Sequence, residues 1–172
     1  MKKILLLSDT HGHLDNKIIK YAKWADEVWH AGDVGDVGVL KIIEKYSILK
    51  GVYGNIDDSK VRRIFPKNQF FKCENISVFI THIGGYPGKY PDEIYKILVK
   101  NKPDLFICGH SHILKIINDK KLSLLHINPG AAGLDGFHNK RTIVKFEVNQ
   151  NKIKNLFVIE LGKRSKINVS DQ

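Results

Sequence analysis

Apolar residues along the chain fall at two alternating spacings, which set out a series of strands and helices. Lys3 to Leu7 is a short run rich in Ile and Leu that stops at the polar segment Ser8-Asp9-Thr10-His11-Gly12-His13, so a strand followed by a loop is predicted. From Leu14 to Trp24 the apolar positions Leu14, Ile18, Ile19 and Ala22 have helical spacing, with Asp15 and Asn16 suited to a first turn. The pattern recurs as strand Glu27 to His30, loop Ala31 to Asp36, helix Val37 to Tyr46, strand Leu49 to Tyr53 and loop Gly54 to Asp58. Strands alternating with helices need crossovers, which are right-handed and generate a parallel sheet.

After Pro66 the texture changes. Gln69 to Cys73 and Ile76 to Thr81 are β-prone runs separated by only Glu74-Asn75, as in a hairpin. A glycine-rich loop, His82 to Lys89, leads to a helix predicted from Pro91, in a first-turn position, to Asn101, and Pro103 ends it. Leu105 to Cys108, Leu114 to Ile117, Leu122 to Ile127, Thr142 to Val148 and Ile153 to Leu161 read as strands, with turns at Asn118-Asp119 and Asn149-Gln150-Asn151. Two mixed β-sheets packed face to face with helices outside, an α/β fold, bury so many strands most simply. A single domain is expected over 1–161, followed by a flexible polar tail over 162–172.

Composition narrows this picture. A chain of 172 residues, 42% of them hydrophobic, buries one sizeable core and is too short for two ordinary domains. No apolar run approaches the roughly 20 residues that span a bilayer. Met1-Lys2-Lys3 opens into a strand-like run rather than a signal-peptide core, so a cytoplasmic protein without a membrane partner is expected. Cys73 and Cys108 form no CxxC pair and suggest neither a disulfide framework nor a thiolate zinc site. The net charge of +10 suits a polyanion, but Lys41, Lys60, Lys96 and Lys115 are scattered, without the interleaved aromatics that single-strand binding favours. Trp24 and Trp29 are expected in the core, and His30 and His126, within strand-like runs, are read as structural.

Five loops share a property that composition does not show. Each follows an apolar strand and carries groups able to bind a divalent metal: Asp9 and His11, Asp33, Asn55, His82, and His110 with His112. Singly, each has an ordinary explanation, since Asp9 suits a helix cap and Gly32-Asp33 and Gly54-Asn55 suit turns. Together they are four histidines, two aspartates and one asparagine at strand ends, where the ligand sites of open α/β sheets form. The donors are nitrogen and oxygen, suited to Mn²⁺, Fe or Zn²⁺, with no thiolate to select zinc. A carboxylate shared between two such ions, about 3.5 to 4 Å apart, produces a centre able to generate hydroxide and clamp a phosphoryl oxygen.

The ordered motifs Asp9-Thr10-His11, Gly32-Asp33, Gly54-Asn55-Ile56-Asp57, Thr81-His82 and Gly109-His110-Ser111-His112 resemble those of the calcineurin-like metallophosphoesterase superfamily. The likeness is to its small single-domain phosphodiesterase branch in bacteria and archaea, and it runs from Met1 to about Leu161, including Asn128-Pro129-Gly130. The resemblance implies an αββα four-layer sandwich and two divalent ions per chain, Mn²⁺ first, with Ni²⁺, Zn²⁺ or Fe as alternatives. Asp9, His11 and His112 would hold one ion, Asn55, His82 and His110 the other, and Asp33 would bridge them. Asp33, Asn55 and His110 take the catalytic roles, and the implied reaction is phosphoester hydrolysis by metal-bound hydroxide without a covalent enzyme intermediate.

Two departures bear on activity. Many members carry His after the GN asparagine, to assist the leaving group or the phosphate; Ile56 stands there and can do neither. The small branch commonly has HGH where this chain has His82-Ile83-Gly84, which changes a pocket wall. Tyr86, His138 and Arg141 are candidate substrate contacts, Arg141 because a guanidinium binds phosphate bidentately. His13, Asp36 and Asp57 extend the metal loops, and His13 or His138 would be an alternative proton source. The competing functions are a protein-binding scaffold, as in a retromer subunit of similar fold, and a nuclease, which only the basic balance favours. A scaffold has no need of seven metal-binding side chains. The expected partner is a phosphoester; a homo-oligomer is compatible with the sequence.

Overall fold

The computed structural model describes residues 1–164. In chain order the elements are β1 (Lys2–Leu7), α1 (Asn16–Trp24), β2 (Glu27–His30), α2 (Val37–Ile43), β3 (Ile48–Gly51), α3 (Ser59–Ile64), β4 (Asn68–Cys73) and β5 (Ile76–Thr81). There follow α4 (Asp92–Asn101), β6 (Leu105–Ile107), β7 (Leu114–Asp119), β8 (Leu124–Pro129), β9 (Lys140–Asn149) and β10 (Lys152–Lys163). One five-stranded sheet has the order β10-β9-β1-β2-β3 and the other β4-β5-β6-β8-β7. Both are mixed, with parallel β1-β2-β3 and β5-β6-β8 and antiparallel pairs toward the edges.

The period of two along the central strands explains the layers. Ile4 and Leu6 of β1 enter the core between the sheets, with Ile80, Ile107, Ile127 and Phe146. Leu5 and Leu7 face the opposite way, onto Ile18 of α1, Leu40 and Ile43 of α2 and Val61 of α3. In the second sheet Val78 and Ile80 face the shared core, while Phe79 and Phe106 pack under Ile94 and Leu98 of α4. A strand covered on both faces reads as an unbroken apolar run, as Ile4-Leu5-Leu6-Leu7 does. The result is the α-β-β-α sandwich.

Several boundaries differ from expectation, each for a local reason. α3 went unpredicted because its six residues bury only Val61, too few for a helical stripe, although Asp58 caps it by accepting from Lys60 N and Val61 N. Pro91 is the N-cap of α4 rather than its first helical residue. The turn expected at Asn118-Asp119 lies farther on: β7 continues through Asp119, whose carboxylate then accepts from Lys121 N and Leu122 N. Trp29 is fully buried, whereas Trp24 is half-buried beneath Lys145. β10 runs two residues past Leu161, and the rest of the expected tail, from 165 on, lies outside the described residues. Among the described residues, no helix is long and apolar enough to cross a membrane.

Candidate metal centre

Strand register brings the five loops together. β1 and β2 pair in parallel with Leu7 opposite His30, so the segments that follow leave side by side, joined by Asp9 N to Gly32 O (2.9 Å) and His11 N to Asp33 O (3.1 Å). In the other sheet Ile80 lies opposite Ile107, and Gly109 N then donates to His82 O at 2.9 Å. The sheets meet across the gap: His110 N donates to the buried Asp9 carboxylate at 3.2 Å, and His82 Nδ1 lies 2.8 Å from Ala31 O. A Cβ at Gly109 would overlap Ser8 and Asp9, and one at Gly54 would overlap the Asp33 carboxylate, so both approaches require glycine.

Backbone conformation marks the same positions. Among the described residues ten non-glycine residues have positive φ, and five of them are Asp9, His11, Asp33, His110 and His112. The left-handed region costs an L-residue roughly 1 kcal/mol. Tight turns account for Glu74 and Gln150. His11 lies in the turn closed by His13 N to Thr10 O at 2.8 Å and His110 in the one closed by Ser111 N to Gly109 O at 2.8 Å, so tight turns in converging loops aim these side chains at a common point.

The side chains gather in two groups. Asp9, His11 and His112 each offer an atom within 4.8 Å of the others', and so do Asp33, His82 and His110. Asn55 joins the second group, its Oδ1 3.1 Å from His82 Nε2. Asp33 faces both, with Oδ1 3.2 Å from His82 Nε2 and Oδ2 3.9 Å from His11 Nε2.

Hydrogen bonds around the groups dictate where ring protons sit. A carbonyl only accepts, so Ala31 O places the proton of His82 on Nδ1 and leaves Nε2 for the centre. Gly133 O likewise takes the Nε2 proton of His138 at 3.2 Å, which makes His138 Nδ1 an acceptor. His112 Nδ1, 3.2 Å away, is then the donor, and its Nε2 is free 3.3 Å from Asp9 Oδ1. His30, which accepts from Gly32 N on Nδ1, donates from Nε2 to Thr10 Oγ1 at 2.9 Å, and Thr10 donates to Val34 O. Burial first, outweighing the nearby Asp57 and Asp9, lowers the His30 pKa to about 4 and keeps it neutral.

The electrostatics favour positive charge beside Asp33. Burial disfavours a charged His82, yet its hydrogen bond to Asp33 and the charge of Asp9 outweigh this and raise its pKa. Burial also opposes ionisation of Asp33, and is outweighed by His82, the Ile56 N–H and His11, which together lower its pKa. A proton on His82 meets this demand for one contact. The two groups together offer nitrogen and oxygen donors, a set that fits Mn²⁺, Fe or Zn²⁺.

Two residues named from the sequence, Asp57 and Asn128, have supporting roles that it did not show. Asp57 is buried and ties two loops, accepting from Gly35 N at 2.8 Å and Gly54 N at 2.7 Å. Asn128 steadies the His110 loop by donating to Gly109 O at 2.7 Å. An acidic residue closing a Gly-Asn turn was the available signal for Asp57; the cross-loop partner was not.

A cavity of about 400 Å³ opens beside the centre, walled by Ile56, Ser111, Ile113, Phe137 and His138 as well as ligand side chains. His138 is therefore brought to the site. Arg141 is not: its buried guanidinium lies 2.8 Å from Asp15 Oδ2 and donates through Nε to Ala132 O, so its charge is engaged in holding the cap of α1. Tyr86 packs under Lys115, whose Nζ lies 3.3 Å from the ring centre, and is absent from the cavity wall. His13 faces Asp15 and Asp36 caps α2, both away from the cavity.

Comparison with known proteins agrees with this geometry. A probable metallophosphoesterase of Mycoplasma pneumoniae is 29% identical over 162 residues, 91% of this chain and 96% of that protein. The solved structure of a novel archaeal phosphodiesterase superposes with a TM-score of 0.70 at 24% identity, covering 92% of this chain and 99% of that one. Wild-type Vps29 of Entamoeba histolytica, solved with zinc, gives 0.71 at 14% identity over 93% of this chain and 98% of that one. At these identities the solved structures speak for the fold. The description of the calcineurin-like phosphoesterase superfamily domain matches residues 1–151, and on that match the chain belongs to the calcineurin-like phosphoesterase superfamily.

Proposed function

We propose that the protein is a cytoplasmic phosphodiesterase working with two divalent ions, Mn²⁺ first among them. The observation that carries this reading is the pair of three-donor groups with Asp33 facing both. Asp9, His11 and His112 would hold one ion, Asn55, His82 and His110 the other, and Asp33 would join them. Ions so placed activate water as nucleophile and neutralise phosphoryl charge.

The chain's own groups set the remaining terms. His82 and His112 are locked with Nε2 toward the centre, so no ring has to turn as substrate arrives. Asn55 and His110 are the exposed members of the set, nearest an incoming phosphoryl group. With Oδ1 of Asn55 beside His82, the same exposed amide carries two N–H donors able to meet a phosphoryl oxygen. Ile56 offers the cavity only a side chain that cannot give a proton, while its N–H holds Asp33 Oδ1 at 3.1 Å.

Hydrolysis by the Mn²⁺-loaded protein should therefore depend steeply on leaving-group pKa. General acid assistance is typically worth 10²- to 10⁴-fold, and p-nitrophenyl diesters should be cleaved better than matched alkyl diesters by a factor in that range. A flat dependence, lost on mutating His138, would make His138 the acid. Inactivity of the fully loaded protein on diesters, monoesters and nucleotides would replace this reading with the competing one, a protein-binding scaffold.

A further inference from the structure

Two cavities flank the metal centre and differ in their charged residues. On the side of Asn55 and His82 away from Ile56, a cleft of about 470 Å³ has Arg62, Lys67 and Glu93 in its wall. Arg62 is fixed there, stacked 4.6 Å from the Tyr53 ring and donating to Asp57 O at 2.7 Å. The cavity on the other side contains no Lys or Arg among the described residues, in a chain with 28 of them. Its mouth is instead apolar: Ile56 is 47% exposed, Ile113 57%, and Phe137 stands wholly in solvent.

Single exposed apolar residues are ordinary, but three around one polar floor are a feature. Ile56 follows β3, Ile113 follows β6 and Phe137 belongs to the 133–138 segment, so three separate loops contribute to the collar. The volume lies within the range of small-molecule sites, whereas three side chains fall well short of the 20 to 30 residues a protein partner typically engages. The collar is also continuous with the donor groups, since Ile56 N holds Asp33 and His138, in the same wall, holds His112.

We infer that the collar of Ile56, Ile113 and Phe137 receives an apolar, preferably aromatic, ester arm of the substrate while the phosphoryl group lies over the ligand cluster. This rests on the phosphoesterase reading and adds the substrate class: a phosphoester with an aryl or similarly apolar substituent, not one with further anionic groups on that side. An aromatic arm has an additional partner in the Phe137 ring.

Binding of two phosphonates to the Mn²⁺-loaded protein, by calorimetry, separates recognition of the arm from leaving-group chemistry, because neither is hydrolysed. Phenylphosphonate and methylphosphonate present the same head group with different arms, compared at a pH where both are doubly ionised. The phenyl compound should bind about tenfold tighter, which about 55 Å² of apolar area removed from water supplies at roughly 25 cal/mol per Å². In Phe137→Ser combined with Ile113→Ser, both at exposed positions, the ratio should fall to near one. A ratio near one in the unmodified protein, or one unchanged by the substitutions, overturns the inference and leaves the phosphoesterase reading standing. If neither phosphonate binds the loaded protein, the phosphoryl site itself is wrong and the collar assignment falls with it.

Discussion

Two buried regions use histidine in opposite ways. At the strand ends below the metal centre, His30 has a partner for each ring nitrogen and His82 is held by Ala31 O with Nε2 turned to Asn55 and Asp33, and five nearby ligands hold left-handed backbone. Beneath α4, His126 lies fully buried among Phe106 and Tyr90, and neither ring nitrogen has a hydrogen-bond partner among the described residues. Residue type and burial are the same; hydrogen bonding is not. A group aimed by hydrogen bonds into converging loops points to chemistry, and a group placed by packing alone points to stability.

The largest effect is expected at Asp33. Asp33→Asn keeps the shape but removes the charge facing both groups, so affinity for both ions should fall by at least 100-fold, read by calorimetry. Weakening of one ion alone would deny Asp33 the bridging role.

Asp57→Ala should cost about 3 kcal/mol of stability by removing a buried acceptor of two N–H bonds, measured by denaturant unfolding. A cost under about 1 kcal/mol would mean that the two loops hold together without it.

At His138 the effect is smaller and confined to one group. His138→Ala should weaken the ion held by His112 some 10- to 100-fold, and His138→Asn, which restores an acceptor near Nδ1, should recover most of it. Equal behaviour of the two variants would assign His138 a packing role only.

His126 offers the reverse case. Burial first, and then Lys115, lower its pKa from 6.5 to about 4, against the pull of Asp119. The unfolded chain therefore binds the extra proton between these values. The stability gained by keeping His126 neutral is fully present above about pH 6.5 and is lost as pH falls toward 4, with a slope of at most about 1.4 kcal/mol per pH unit. His126→Phe should remove that slope and leave stability at neutral pH equal or higher. An unchanged acid profile would show that His126 titrates normally.

Much of this was legible because the chain places its chemistry at the ends of apolar runs. Glu27–His30 and Ile76–Thr81 are strands with the expected bounds, and the polar residues beyond them converge as the ends of neighbouring parallel strands must. Short elements and distant pairings were hidden. α3 is too brief to show a period, and Arg141 was read as a candidate phosphate contact because its partner Asp15 lies 126 positions away in the sequence. The partners of Asp57 and His138 depend on how separate loops abut, which no local spacing encodes.

Counting bound metal addresses the centre most directly. Elemental analysis of the protein saturated with Mn²⁺ and freed of excess, paired with anomalous scattering from crystals, should give two ions per chain, one between Asp9, His11 and His112 and one beside Asn55, His82 and His110. A saturated stoichiometry of one or less, with a single anomalous peak, would contradict the dinuclear centre.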